Sequence, residues 1–198
     1  MTIKAILFDA DGTLMDSIAS WKIALTTVLN RRGLPYSEED FQALIPLTTK
    51  EGGAYLKEKY GFPETGDEIA DEYLGLVESF YATEVELKKG AREALEYYAG
   101  KGIPMAIVTS SERILIEAAC KRHGISQYFQ GLYICSELRT SKRNPDIFVN
   151  TAKILGAEPA ETLVYEDSDY AIDTAVKSGF KVIKVIDEIK TVDAKEQI

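Results

Sequence analysis

Short apolar runs that stop abruptly at polar residues recur along the chain, and between them lie stretches whose apolar positions fall three and four apart. Lys4 to Phe8 (KAILF) is the first run, closing on acids and Gly12, and it predicts a buried strand that delivers a polar loop. Residues 103 to 108 (IPMAIV), 162 to 165 (TLVY) and 181 to 186 (KVIKVI) repeat that form, and 131 to 134 (GLYI) does so weakly. Ala94, Leu95 and Tyr98 give 91 to 100 a helical period, as do Ile114, Leu115, Ala118 and Ala119 before Gly124. Asn144, Pro145 and Asp146 form a helix start of Asn cap, first-turn proline and first-turn acid, and Ser168 can cap a further helix that Gly179 ends. Strands alternating with helices predict an α/β protein with a mainly parallel sheet covered on both faces.

The segment 18 to 85 breaks the alternation. It offers helical patterns around Trp21, Leu25, Val28 and Leu29, around Phe41 and Leu44, around Tyr55 and Leu56, and around Ile69, Tyr73, Leu76 and Phe80. It is too long for one crossover, which predicts a small α-helical cap domain at 18–85 inserted into a core of 1–17 and 86–198. Trp21 and the tyrosines read as the interior of that cap rather than a ligand cage. The polar ending TVDAKEQI is expected to fray.

Composition narrows the function without naming it. The 198 residues are 45% hydrophobic and 28% charged, an ordinary globular balance, with a formal charge of -9. That sign argues against nucleic acid or an anionic membrane as partner, since both need concentrated basic surface. Cys120 and Cys135 lack metal-ligand spacing and read as buried, reduced, small apolar residues. With no basic start and long apolar run like a signal peptide, and no apolar stretch of about 18 residues, the expected location is the cytoplasm.

Ligands of open α/β sheets bind at the carboxyl ends of the strands, and three predicted strands end in reactive groups. The first delivers Asp9 and Asp11, the next Thr109, Ser110 and Ser111, and a later one Glu166 and Asp167. Carboxylates converging on one edge repel each other, a cost that a divalent ion removes, and oxygen ligands with room for phosphate and water suit Mg2+. Helix capping accounts tolerably for Asp167 and Ser168, but not for Asp9 and Asp11 together. An ammonium at Lys142 can neutralise a nucleophile and a phosphate, although Arg139, Lys142 and Arg143 also read as an ordinary solvated basic loop. Backbone N–H groups at Gly12, Thr109 and Ser110 can meet phosphate oxygens. His123, the single histidine, precedes a helix-ending Gly124 and suits the helix dipole as a cation, so no His-dependent triad is expected.

These residues form a known series. DADGTLMDS at 9 to 17 resembles the first motif of the haloacid dehalogenase superfamily, of form DxDGT. IVTSS at 107 to 111 resembles the second motif, Lys142 with NPDIF at 144 to 148 the third, and VYEDSDYAIDTAVKSG at 164 to 179 the fourth. KKGAREAL, where the cap returns to the core, extends the similarity to nearly the whole chain. The branch it resembles is that of β-phosphoglucomutase and phosphoglycolate phosphatase, which implies a doubly wound, Rossmann-like core with a small helical cap. It implies further that Asp9 is the nucleophile forming an aspartyl phosphate and that Asp11 is the acid/base. Asp9, the Asp11 carbonyl, Asp167 and Glu166 would hold Mg2+, and Thr109, Ser110 and Lys142 the phosphate. LTTKEGG resembles the specificity segment of the cap, placing Lys50 where a basic residue meets the substrate; a plain surface lysine is the competing reading. Three residues depart from the pattern or bear on it: Arg143 replaces a proline and competes with Lys142 for the phosphate, Ala171 replaces a glycine and can crowd the helix start, and the mapping of Lys50 rests on the cap alone.

The activity so implied is a magnesium-dependent phosphatase acting on a sugar phosphate or similar small phosphorylated metabolite. A phosphomutase of the β-phosphoglucomutase type is the alternative. A true dehalogenase has no need of an acid at Asp11 or of a metal. From another class, a non-catalytic binding or regulatory protein on the same fold is the remaining possibility.

Overall fold

The structure, a computed structural model, describes residues 2–192. The expected fraying of the C-terminal ending falls, for 193–198, outside the described residues. Strand β1 (Ala5–Phe8) is followed by four helices in succession, α1 (Ile18–Asn30), α2 (Glu38–Leu44), α3 (Thr49–Tyr60) and α4 (Gly66–Thr83). Alternation then begins: α5 (Ala91–Gly100), β2 (Met105–Thr109), α6 (Arg113–Arg122), β3 (Phe129–Ile134), α7 (Asp146–Ile154), β4 (Thr162–Glu166), α8 (Asp169–Lys177) and β5 (Lys181–Lys184). The strands form one parallel sheet in the order β3-β2-β1-β4-β5.

Every residue of β1, β2 and β4 is buried, which is why these strands read as unbroken apolar runs. Their side chains still alternate. Ile6, Phe8, Ile107, Leu163 and Tyr165 pack with Leu95 and Tyr98 of α5 and Leu115 and Ala119 of α6. Ala5, Leu7, Ala106, Val108 and Val164 pack on the other face with Phe148 and Ala152 of α7 and Ala171 and Ala175 of α8. Ala171 is therefore accommodated in an apolar layer and does not block the start of α8. Strand β3 gave the weakest signal because it lies at the sheet edge and only Ile134 is buried. Cys120 and Cys135 are buried free thiols, and burial raises the pKa of both.

The larger core continues without a break into α1–α4 through Leu25, Val28, Leu56, Ile69 and Val77. The buried stripe of α4 runs Ile69, Ala70, Tyr73, Val77 and Tyr81, winding around the helix at four-residue steps, while Leu76 and Phe80 of the expected pattern are partly buried and pack at its edge. Helices α3 and α4 each start in a reciprocal cap, Thr48 with Glu51 and Thr65 with Glu68. They approach so closely that a Cβ on Gly53 would overlap the Gly66 carbonyl, which explains one glycine of LTTKEGG by packing. The chain leaves and re-enters the sheet layer side by side, with Asp16 N–H donating to the Glu86 carbonyl (2.8 Å) and Lys88 N–H to that of Leu14 (2.8 Å). Among the described residues no helix is long and apolar enough to cross a membrane.

Candidate active site

Strand order reverses at β1, since the chain moves outward through β2 and β3 on one side and resumes at β4 on the other. The crevice at the carboxyl ends of β1, β2 and β4 is where ligands of such sheets bind. Asp9 follows β1 there, Glu166 ends β4, and Asp167 follows it. Gly12 makes the arrangement possible: its φ of +75° suits glycine, and a Cβ on it would overlap the Asp167 carboxylate.

Lys142 is 2% exposed and ties the floor together, its Nζ donating to Asp9 Oδ1 and to Glu166 Oε2 (2.6 Å). The structure decides between the two cations of the basic loop: Lys142 enters the site, while exposed Arg143 lies over the Tyr170 ring at 4.9 Å. Burial, and after it the Glu166 charge, raises the Asp9 pKa against the opposing pull of Lys142. Glu166 is also raised, chiefly by burial, and Asp167 is pushed up to about 6 by burial and then by Asp9. Lys142 is raised well above its ordinary value because Asp9 and Glu166 outweigh the cost of burying it. Tyr170, lining the same crevice, is pushed up to about 12 by burial.

Asp11 is held by four donors. Ser17 Oγ (2.6 Å), Trp21 Nε1 (2.7 Å) and Tyr81 OH donate to Oδ1, and Ser111 Oγ donates to Oδ2. Trp21 is thus more than helical interior: it lines the cavity and touches the second aspartate of the motif. The sequence does not mark Tyr81, Ser17 or Ser111 as partners of Asp11, nor Tyr170 as part of the cavity lining. Ser17 and Ser111 at least sit within or beside motif residues, whereas nothing local marks Tyr81. Ser168, expected to cap α8, instead donates from Oγ to Asp167 Oδ1 (3.0 Å), and its own N–H is taken by Glu166 Oε1 (3.1 Å).

An open cavity lies over this floor, walled by Thr109, Ser110 and Ser111 on one side and by α1, α2, α3 and α4 residues on the other. Lys50 is not brought to it. The Thr48–Glu51 cap sets the first turn of α3 so that Lys50 points outward, its side chain 79% exposed and facing Asp67 at 3.9 Å. This placement is that of the competing reading, a surface lysine. His123 closes α6 far from the floor, with Nε2 against the Val85 carbonyl at 2.8 Å.

Asp9, Glu166 and Asp167 each bring one carboxylate oxygen within 4.8 Å of the others. An all-oxygen, like-charged donor set with raised proton affinities fits a hard divalent cation. Both oxygens of Glu166 already accept protein hydrogen bonds, so Asp9 and Asp167 carry the better placed donors and Glu166 chiefly positions Lys142.

A family model described as haloacid dehalogenase-like hydrolase matches residues 6–185. Hexitol phosphatase A of Escherichia coli is 31% identical over 93% of this chain and 84% of its own length. Fructose-1-phosphate phosphatase YqaB of the same organism is 27% identical, covering 91% of this chain and 95% of that one. Among solved structures, CbbY from Rhodobacter sphaeroides in complex with phosphate shares the fold at a TM-score of 0.79, with 23% identity over 91% of this chain and 84% of that one. The chain belongs to the haloacid dehalogenase-like hydrolases.

Proposed function

We propose that this protein is a magnesium-dependent phosphatase of small phosphorylated metabolites, sugar phosphates among them, working through an aspartyl phosphate on Asp9. The observation that carries the reading is the convergence of Asp9, Asp11, Asp167 and Lys142 on one cavity floor at the sheet's switch point. The names of the phosphatase relatives support the substrate class. The division into a core of 1–17 and 86–198 and a cap of 18–85 belongs to this proposal, supported by the hydrogen-bonded segments 14–16 and 86–88. So does a cytoplasmic location, which suits two free buried thiols.

Asp9 supplies one carboxylate oxygen for attack on phosphorus, with the Lys142 ammonium beside its Oδ1. The Asp9 oxygen–phosphorus bond forms as the ester oxygen–phosphorus bond breaks, and Asp11 gives its proton to the departing alkoxide. Asp11 then takes a proton from water, whose oxygen displaces the Asp9 carboxylate and releases inorganic phosphate. Ser17, Ser111 and Tyr81 suit both states, since a hydroxyl can turn from donor to acceptor when Asp11 carries the proton, whereas Trp21 Nε1 only donates. Lys142 neutralises charge on the nucleophile, and Thr109 and Ser110 line the phosphate position. Asp9, Asp167 and the Asp11 carbonyl would hold Mg2+, which when bound offsets charge on the transferring phosphoryl group.

The test is phosphate release from a panel of phosphorylated metabolites, with Mg2+ and with chelator. Release without isomerisation of the sugar, abolished by chelator, is expected. Interconversion of sugar phosphate isomers without net release would instead establish the phosphomutase.

A further inference from the structure

Resting on the phosphatase reading, we infer that the cavity selects monophosphates of uncharged alcohols and rejects esters that carry a second anionic group, whether a further phosphate or a carboxylate. Among the described residues lining the cavity, the charged groups are Asp9, Asp11, Asp167 and one cation, Lys142. That cation already serves Asp9 and Glu166 on the floor.

The wall facing the floor is built from Phe41 and Leu44 of α2, Ile45 and Leu47 of the turn after it, Trp21 of α1 and Tyr73 of α4. Its polar groups are uncharged, and three are engaged within the protein: Trp21 Nε1 with Asp11 (2.7 Å), the Tyr73 hydroxyl with the Trp21 carbonyl (3.2 Å), and the Thr48 hydroxyl with Glu51 (2.8 Å). The nearby lysines are turned away or engaged. Lys50 faces Asp67 on the outer surface, Lys59 donates to Asp40 (2.6 Å), and Lys22 pairs with Glu38 (3.0 Å). A second anion on the substrate would meet apolar carbon and neutral hydroxyls on the cap side and carboxylates on the floor side, and it would lose hydration without gaining a cation as partner. An uncharged organic group loses nothing comparable, and the carbon face of a sugar or polyol can rest on Trp21, Phe41 and Leu47.

The experiment compares matched esters on the full chain with Mg2+, reading phosphate release: glycerol 3-phosphate against 3-phosphoglycerate, and a hexose 6-phosphate against the hexose 1,6-bisphosphate. The ester without the second anionic group in each pair is expected to have the higher kcat/KM by on the order of 100-fold. Leu47→Lys, which places an ammonium on the wall, is expected to narrow the gap for 3-phosphoglycerate by about tenfold or more. Equal or reversed preference, with p-nitrophenyl phosphate still hydrolysed, would overturn the inference while leaving the phosphatase reading intact. A gap that Leu47→Lys does not narrow would also overturn it, because the discrimination would then lie elsewhere than this wall. Failure to release phosphate from any ester, p-nitrophenyl phosphate included, would overturn the phosphatase reading and this inference with it.

Discussion

Asp9 and Asp11 lie two positions apart and are held by different partners, so their substitutions should fail in different ways. Asp9→Asn replaces the nucleophile with a neutral amide and removes an acid from the floor, and no turnover of any ester is expected. Asp11→Asn keeps the Asp11 carbonyl but loses proton transfer, an effect of ~100 to 10,000-fold. An alkyl phosphate should then stall at the first step. p-Nitrophenolate departs unaided, so that substrate should give a burst of p-nitrophenol near one equivalent per site, with phosphate trapped on Asp9. Parent rates on both substrates would show that Asp11 is not the acid/base. Contiguous motif letters bring Gly12 to notice as a backbone N–H donor, but that its missing Cβ lets Asp167 approach is visible only in the fold.

At the scale of elements, two features of the helical segment carry measurable stability. Gly53→Ala drives a methyl group into the Gly66 carbonyl where α3 and α4 cross, and should destabilise by ~1–3 kcal/mol, read as a lower urea midpoint. Asp40 of α2, fully buried, accepts from Tyr55 OH (3.0 Å), Lys59 Nζ (2.6 Å) and Tyr60 OH, tying α2 to α3. Burial alone would raise its pKa, but those hydrogen bonds outweigh it and hold the carboxyl below the ordinary range. A folded pKa below the unfolded value of about 3.9 means that Asp40 stabilises at neutral pH and loses that contribution as acid protonates it. Asp40→Asn should therefore cost ~1–3 kcal/mol near pH 7, and the gap to the parent should close as pH falls below about 4. A gap independent of pH would refute the ionised role.

For the whole molecule, the site depends on β1 and β4 bringing Asp9 and Asp167 to one edge. Mg2+ that binds this folded arrangement and not the unfolded chain must raise the melting temperature. At about 100 times its dissociation constant the gain is ~2.7 kcal/mol, or several degrees for a chain of this size. Asp167→Asn should abolish most of the shift, and a parent melting temperature indifferent to Mg2+ would refute the metal assignment.

The sequence by itself determined the alternation of strands and helices, the interruption at 18–85, and the carboxylates that follow β1 and β4. Those properties are written locally, in runs, caps and motif spacing that need no distant partner. Packing in three dimensions sets the entry of Lys142 rather than Arg143 into the site, the contact of Trp21 with Asp11, and the outward face of Lys50. Each depends on where one element lands on another: Tyr81 meets Asp11 across 70 positions and Lys142 meets Asp9 across 133. No local period or propensity encodes which of two adjacent basic side chains will turn inward; burial does so by placing Asp9 and Glu166 where only one ammonium can serve both.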